Sequence, residues 1–185
     1  MEHKDAVALI REAVGHSAGA WADLGCGTGT FTRALVDILG TNSEVIAVDQ
    51  DAGALDVLRR WAERHAAAIV TVRADFTRPS ELADLRDGSL DGILLANSLH
   101  FVSDAETVLA RLVRALRPPG RGVGGGRVVI VEYDRREANA WVPYPISRDR
   151  LPLLAAKAGL SNPVVIATRR SRYQGVMYAA AAERV

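Results

Sequence analysis

The sequence has only one cysteine, Cys26, among its 185 residues. A single cysteine can form no internal disulfide and cannot belong to a multi-cysteine metal site, which excludes both classes of protein. No apolar run approaches the roughly 20 residues that a membrane-spanning helix needs. Residues 1–20 carry five scattered charges and do not resemble a signal peptide. We therefore expect a soluble, cytoplasmic protein with no membrane partner and no metal site.

An excess of charge of one sign is also lacking. The 23 lysines and arginines nearly balance the 22 aspartates and glutamates, so the formal net charge is +1. A dedicated nucleic-acid-binding protein usually has a strongly basic surface, and we do not expect a nucleic-acid partner here. The basic segment "RRSR" (169–172) is the exception, although arginines at a hairpin tip are usually solvated. Length and a hydrophobic fraction of 49% indicate one globular domain over residues 1–185, as a monomer or homodimer.

Apolar, strand-like runs alternate with helix-like segments along most of the chain. The predicted strands are 19–25, 44–49, 68–75, 90–98 and 127–134. The predicted helices are 4–15, 30–39, 52–65, 79–85, 104–117 and 148–158. This alternation predicts βαβ units and a parallel sheet with helices on both faces. The last two runs, 163–171 and 173–183, lie so close together that they predict an antiparallel hairpin.

The first predicted strand runs into a glycine-rich turn, "DLGCGTGTF" (23–31), with Gly25, Gly27 and Gly29 at alternate positions. Ligands of doubly wound sheets bind at the carboxyl ends of the strands, next to such a turn. A dinucleotide fingerprint would need glycine or alanine at position 30, where this chain has Thr30, and a phosphate-binding Gly-Lys-Ser/Thr ending is absent. Asp23 would repel a pyrophosphate and attract an ammonium group.

From "WADLGCGTGTFT" to the terminal hairpin, the sequence resembles the class I S-adenosylmethionine-dependent methyltransferases. The segment "DLGCGTG" resembles the first motif of that family, and Asp49 in "VIAVDQD" resembles the acid that ends the second strand. "RADF" (73–76) resembles the adenine-site motif, and "LLANSLHF" (94–101) resembles the fourth-strand motif of the branch that acts on small molecules. The resemblance implies an α/β, Rossmann-like, doubly wound seven-stranded sheet of order 3-2-1-4-5-7-6 with strand 7 antiparallel. It also implies S-adenosylmethionine as cofactor and S-adenosylhomocysteine as product.

The resemblance assigns the amino-acid end of the cofactor to the glycine turn. Backbone at Gly25, Cys26 and Gly27 is expected to lie against this end, because glycine places no Cβ in the way. The start of the following helix favours the cofactor carboxylate, while Asp23 and the backbone of Asn97 are expected to hold the ammonium group. We interpret the Cys26 side chain as a small packing group and not as a nucleophile.

The resemblance assigns the nucleoside end to the two strands beyond the turn. Asp49 is expected to accept hydrogen bonds from the ribose hydroxyls, with Gln50 beside the adenine. Asp75 is expected to accept from the adenine amino group, with Phe76 near the ring. An isolated aspartate can also serve as a turn or cap residue, and we predict the cap role for Asp51, before the helix at 52–65.

On the acceptor side, His100 is the candidate general base, useful for an acceptor that must lose a proton early. The alternative is that His100 caps or packs and only shapes the pocket. We predict that 135–147 is a substrate loop in which Trp141 and Tyr144 wall off the acceptor, together with Ser98. The alternative is that both aromatics pack the loop onto the core. The N-terminal segment 1–18 is expected to close over the cofactor as a small lid.

Missing motifs narrow the acceptor. The chain has no Asn/Asp-Pro-Pro-Tyr motif of amide or base methylation, no Pro-Cys nucleophile, and no cysteine set like that of arsenic methyltransferases. What remains is methyl transfer to an oxygen, nitrogen or carbon nucleophile of a small molecule. Three alternatives stay open: a non-catalytic cofactor-binding subunit, an RNA methyltransferase, and a nucleotide-dependent oxidoreductase. Thr30 and the terminal hairpin argue against the last of these.

Overall fold

The computed structural model describes residues 1–15, 19–82, 85–121, 124–171 and 175–185. Four predicted segments extend outside the described residues: the N-terminal segment 1–18, the short helix 79–85, the basic segment 169–172 and the last strand run 173–183.

Strands and helices alternate along the described chain, as the sequence predicts. The helices are α1 (His3–Val14), α2 (Thr30–Leu39), α3 (Ala52–His65), α4 (Ala105–Val113) and α5 (Leu151–Lys157). The strands are β1 (Ala20–Leu24), β2 (Glu44–Asp49), β3 (Ile69–Arg73), β4 (Gly92–Ala96), β5 (Arg127–Tyr133), β6 (Val164–Arg170) and β7 (Val176–Glu183). Short 3-10 turns cover Pro79–Leu82 and Leu99–Phe101.

The strands form one seven-stranded sheet in the order β3-β2-β1-β4-β5-β7-β6. The four pairs among β1 to β5 are parallel, and β7 pairs antiparallel with both β5 and β6. The short connection between β6 and β7 leaves no room for a crossover, so these two strands must run in opposite directions. The predicted fold class, strand order and reversed seventh strand are confirmed.

Helices cover both faces of the sheet. Helix α1 buries a stripe of residues at helical spacing, Ala6, Leu9, Ile10 and Ala13, and packs with α2 and α3 on one face. Helices α4 and α5 pack on the opposite face, against alternate residues of the same strands. Both faces of the central strands are therefore buried, which accounts for their continuous apolar sequence.

Several predicted elements are shorter in the structure. The helix predicted at 104–117 ends at Val113, because Arg114, Ala115 and Leu116 turn to the tighter i→i−3 hydrogen bonds. The strand predicted at 90–98 ends at Ala96, because Asn97 has a left-handed φ of 55° that turns the chain out of the sheet. The helix predicted at 148–158 spans only Leu151–Lys157, and 79–85 forms one 3-10 turn up to Leu82.

Candidate functional site

The glycine turn connects β1 to α2 and is tied to the neighbouring strand. The amides of Gly25 and Cys26 donate to the carbonyl of Val48, at 2.8 and 3.0 Å. Gly25 has a φ of 79°, and a Cβ there would lie 2.5 Å from the Cβ of Ser98, so only glycine fits. Gly27 also has a left-handed φ, 53°, but a Cβ on it would meet no atom within 4 Å. The peptide at Gly27 therefore faces open space beside the turn.

The N-terminus of α2 lies directly beyond this turn. The amide groups of Thr28, Thr30 and Phe31 make no backbone hydrogen bond with any described residue. All three residues line the same cavity as the turn. Unused amides at a helix start are the usual partners of a carboxylate or phosphate group.

Asp23 is buried beneath the turn. Its Oδ2 accepts a hydrogen bond from the Thr32 hydroxyl at 2.6 Å, and its Oδ1 has no partner among the described residues. Burial raises the pKa of Asp23 to about 7, against the opposing effect of the Thr32 hydrogen bond. A buried carboxylate oxygen without a donor is costly, and a donor brought by a ligand would satisfy it. Asp23 does not itself line a cavity, so its contact with an ammonium group stays a prediction.

The neighbouring Cys26 thiol is also buried, and burial, with Asp23 and Asp49 nearby, raises its pKa far above the usual range. This thiol stays protonated, in agreement with a packing role.

Asp49 ends β2 and stands next to the turn. Its Oδ2 accepts from the Gly27 amide at 2.7 Å, and its Oδ1 accepts from the Asp51 amide at 2.9 Å. Each carboxylate oxygen retains a second lone-pair direction for a further donor. Asp49 can therefore still accept from the ribose hydroxyls, and this contact stays a prediction. Asp51 caps α3 by accepting from the amides of Gly53 and Ala54, as predicted.

Asp75 and Phe76 follow β3 on the same edge of the sheet. Asp75 Oδ1 accepts from both the hydroxyl and the amide of Thr77, at 2.7 and 2.9 Å. The hydroxyl of Thr77 is the main cause that lowers the pKa of Asp75. The Arg111 guanidinium fixes the loop from α4 by donating to the Phe76 carbonyl at 2.7 Å. Neither Thr77 nor Arg111 was expected at the site from the sequence.

Three cavities open along this edge, and all three reach Asn97. The turn cavity, of about 410 Å³, is lined by Gly25, Cys26, Gly27 and Thr30, and also by Arg169 and Arg170. The acidic cavity, of about 410 Å³, is lined by Asp49, Gln50, Asp75, Phe76 and Ser98. The aromatic cavity, of about 570 Å³, is lined by His100, Phe101, Tyr133, Arg135, Trp141 and Val142.

Asn97 stands at the junction of the three cavities in a left-handed conformation. Its amide donates to the carbonyl of Val131 at 2.8 Å, which fixes the backbone between β4 and β5. Its side-chain Oδ1 is buried and has no partner in the described part of the chain. A second unsatisfied acceptor therefore lies close to the glycine turn.

His100 lies on the wall of the aromatic cavity and is held by Glu132. Its Nδ1 lies 2.6 Å from Glu132 Oε2, and its amide donates to Glu132 Oε1 at 3.1 Å. Both side chains are buried, and His100 Nε2 makes no hydrogen bond with a described residue. The sequence interpretation missed Glu132. The available signal was a single acid inside the apolar strand "RVVIVEYD" (127–134), because an unpaired carboxylate is rarely buried.

The loop 135–147 approaches the same cavity from β5. Trp141 is 82% exposed and Tyr144 42% exposed, so the alternative in which both aromatics pack the loop onto the core is wrong. Val142 and Ile146 anchor the loop instead, since both are buried. Trp141 lines the aromatic cavity, whereas Tyr144 does not and contacts His100 through a backbone hydrogen bond of 3.0 Å.

Ser98, predicted on the acceptor side, lies on the acidic cavity instead. It does so because the chain turns at Asn97, which separates Ser98 from the wall that carries His100.

The two ends of the chain meet at the turn cavity. Met1, Glu2 and Asp5 from the N-terminal segment line it, opposite Arg169 and Arg170 from β6. Asp5 and Arg169 form an ion pair of 2.6 Å across the rim. The basic segment therefore borders a cavity in its described part, and Arg172 lies outside the described residues.

The residues that the structure describes lack two features. No group of three or more His, Cys, Asp or Glu side chains among them could hold a metal ion. No helix formed by them has the length and apolar character to cross a membrane.

Residues 22–120 match the family of methyltransferase domains, a segment that contains the glycine turn, both acidic strand ends and His100. An uncharacterized methyltransferase of Mycobacterium tuberculosis is 35% identical over 120 residues, which are 65% of this chain and 42% of that protein. A 2-phytyl-1,4-naphtoquinone methyltransferase of Synechococcus elongatus is 32% identical over 114 residues, 61% of this chain and 45% of the relative. The chain thus spans less than half the length of these curated relatives.

Among solved structures, a geranyl diphosphate methyltransferase in complex with SAM superposes with a TM-score of 0.74 at 19% identity. The superposition covers 100% of this chain and 86% of that one. At this level of identity the likeness concerns the fold alone.

Proposed function

This chain belongs to the class I S-adenosylmethionine-dependent methyltransferases, and we propose that it binds S-adenosylmethionine and methylates a nucleophilic atom of a small molecule. The observation that carries the proposal is the meeting of three cavities at Asn97. The sulfonium centre of the cofactor joins an amino-acid arm, an adenosyl arm and the methyl group. Three cavities that diverge from one residue fit a ligand with three arms at one atom.

The turn cavity suits the amino-acid arm. The free amides at the start of α2, at Thr28, Thr30 and Phe31, favour its carboxylate. The unpartnered acceptors Asp23 Oδ1 and Asn97 Oδ1 favour its ammonium group. Both buried oxygens are unsatisfied in the described chain, so a cation with several N–H donors removes a desolvation cost at this point.

The acidic cavity suits the adenosyl arm. Asp49 supplies acceptors for the ribose hydroxyls from the end of β2, and Asp75 supplies an acceptor for the adenine amino group from the end of β3. Phe76 provides an apolar surface for the ring. The proposal keeps for these residues the roles that the sequence resemblance implied.

The aromatic cavity then remains for the acceptor, and the position of His100 on its wall supports the role of general base. Because Nδ1 lies against the Glu132 carboxylate, we assign the ring proton to Nδ1, which leaves the lone pair of Nε2 available to accept a proton. The buried carboxylate orients the ring and stabilises the imidazolium that forms when Nε2 takes a proton. Bound S-adenosylmethionine supplies an electrophilic methyl carbon whose bonding electrons to sulfur remain on S-adenosylhomocysteine. His100 Nε2 would take the proton that the acceptor atom loses when it is methylated.

The first test is calorimetric titration of the purified protein with S-adenosylhomocysteine, with NAD as the parallel ligand. We expect micromolar binding of S-adenosylhomocysteine and no binding of NAD. Binding of NAD, or of neither ligand, would contradict the proposed cofactor and with it the reaction.

A further inference from the structure

The aromatic cavity carries one cation that neither the fold nor the proposed reaction uses. Arg135 is the second residue after β5, is half-buried, and lines the cavity wall together with His100. Its guanidinium makes no hydrogen bond and no ion pair with any residue in the described ranges. An arginine placed in a cavity without an acid partner has its hydrogen-bond donors available to a ligand.

Two acids of this region, Asp134 and Asp149, are already engaged by other arginines. Asp134 pairs with Arg148 at 2.7 Å, and Asp149 pairs with Arg136. Among the described residues, no aspartate or glutamate lines the aromatic cavity. The wall around Arg135 therefore carries a positive charge, because Glu137, the acid of the same loop, is not among the residues that line the cavity.

The rest of the wall is mainly apolar. Phe101, Tyr133 and Trp141 line it, and Trp141 leaves 82% of its side chain exposed. The backbone at Trp141 is nevertheless fixed, because Asn139 Oδ1 accepts from the amides of Trp141 and Val142 at 2.9 and 2.7 Å. Phe101 is exposed as well and lines the same cavity, and an exposed apolar patch of this kind is typical of a surface that a ligand covers.

We propose that the methyl acceptor is a flat, ring-containing molecule that carries a carboxylate. Its ring lies against Phe101, Tyr133 and Trp141, its carboxylate binds the Arg135 guanidinium, and its nucleophilic atom faces His100. The planar guanidinium offers parallel donors that match the two oxygens of a carboxylate. This assignment rests on the proposed function, because it takes the aromatic cavity as the acceptor site.

The test uses a matched pair of probes on the protein saturated with S-adenosylhomocysteine. 1-Hydroxy-2-naphthoate and 1-naphthol share the ring and the hydroxyl and differ in the carboxylate. By calorimetry we expect the naphthoate to bind at least about tenfold more tightly, the scale of one charge-assisted hydrogen-bonded pair. Arg135→Gln is expected to abolish this preference and to leave the affinity for 1-naphthol unchanged.

Two variants serve as controls. Arg136→Gln removes the same charge from the adjacent residue, which pairs with Asp149 and does not line the cavity, and it should keep the preference. Trp141→Ala should weaken both probes by a similar factor, because it removes the stacking surface and not the charge.

The outcomes separate this inference from the proposed function. A protein that binds no S-adenosylhomocysteine contradicts the proposed function. If the protein binds S-adenosylhomocysteine, the proposed function stands and three results would overturn the carboxylate assignment alone. These are equal affinity for the two probes, no binding of the naphthoate, and an unchanged preference for the naphthoate in Arg135→Gln.

Discussion

His100 and Glu132 form a buried pair in which one carboxylate engages the histidine twice, through its ring and through its amide. The distances are 2.6 Å from Nδ1 to Oε2 and 3.1 Å from the amide nitrogen to Oε1. The residues come from neighbouring parallel strands, His100 from the turn after β4 and Glu132 from the end of β5. The double contact fixes both the position and the orientation of the imidazole.

This pair gives the first prediction. His100→Asn can keep a donor toward Glu132 while it removes the base, so we expect turnover to fall by about a hundredfold or more, the usual contribution of a general base. Affinity for S-adenosylhomocysteine should stay within about twofold, since His100 lies outside the turn and acidic cavities. Glu132→Gln should lower turnover in the same direction and alter its pH profile.

The matched control is His65→Asn, an exposed histidine at the end of α3 that stacks on Trp61. It should leave turnover unchanged. Undiminished turnover in His100→Asn would show that His100 is not a base and only shapes the cavity. A loss of turnover together with a loss of S-adenosylhomocysteine binding would show that the substitution disturbs the structure.

Asp49 carries the second prediction. Asp49→Ala removes the acceptors for the Gly27 and Asp51 amides as well as for the ribose, so S-adenosylhomocysteine binding should weaken by at least ~1 kcal/mol. Asp56→Ala, on the exposed face of α3, should change nothing measurable in the same titration. An unchanged dissociation constant for Asp49→Ala would remove this residue from the site.

Asp23 makes stability depend on pH. Burial raises its pKa from 3.8 to about 7, so the native state holds the proton more tightly than the unfolded chain does. The stability from this group is fully present below pH 3.8 and is lost as pH rises through about 7. Asp23→Asn stays neutral and keeps an acceptor for Thr32. In urea unfolding, the difference in free energy of unfolding between Asp23→Asn and the wild type should favour the variant more at pH 8 than at pH 5. This change with pH should be on the order of 2 kcal/mol.

Asp75 should make stability depend on pH in the opposite direction, which Asp75→Asn tests. The Thr77 hydroxyl lowers the pKa of Asp75, so its stabilisation is present above the unfolded pKa and is lost as pH falls. Compared with the wild type, this variant should therefore have a lower free energy of unfolding at pH 8. The loss should be smaller than for a buried group, because Asp75 is partly exposed.

For the Asp23 prediction, identical pH profiles of stability for the wild type and Asp23→Asn would show that Asp23 titrates normally.

Asp23 also links pH to cofactor binding. An ammonium group near Asp23 favours the ionised carboxylate, so binding below pH 7 should release a proton. We expect the affinity of the wild type for S-adenosylhomocysteine to fall between pH 8 and pH 6. Asp23→Asn should show a smaller change over this interval. Equal pH dependence in both proteins would place the ammonium group away from Asp23.

Gly27 and Gly40 provide a matched pair of glycine substitutions. Both have positive φ, 53° and 76°, and a Cβ on either would meet no atom within 4 Å. Gly27→Ala and Gly40→Ala should each cost about 1 kcal/mol of stability from the left-handed conformation. Only Gly27→Ala should weaken S-adenosylhomocysteine binding, by about tenfold or more, because its methyl group enters the turn cavity. Equal affinity in the two variants would mean that the cofactor does not approach this peptide.

The order of the elements could be predicted from the sequence because it depends on local periodicity and chain connectivity. Helices α2 and α3 and strand β2 have the predicted bounds, where Gly40 and Asp51 mark their ends with clear local chemistry. The bounds near Asn97 and Val113 could not be predicted, because a left-handed residue and a tightened last turn leave no strong local signal.

The sequence by itself determined the parallel sheet, its reversed last strand and the residues at the carboxyl ends of β1 to β4. These follow from alternating apolar runs, short connections and residues that stand next to each other in the chain. Only the tertiary structure decided that Glu132 holds His100 and that Arg169 and Asp5 meet across the turn cavity. It also decided that Arg135, which has no side-chain partner among the described residues, lines the same cavity as Trp141. Each of these relationships joins residues whose partners are chosen by packing between elements, and no local pattern in the chain records that choice.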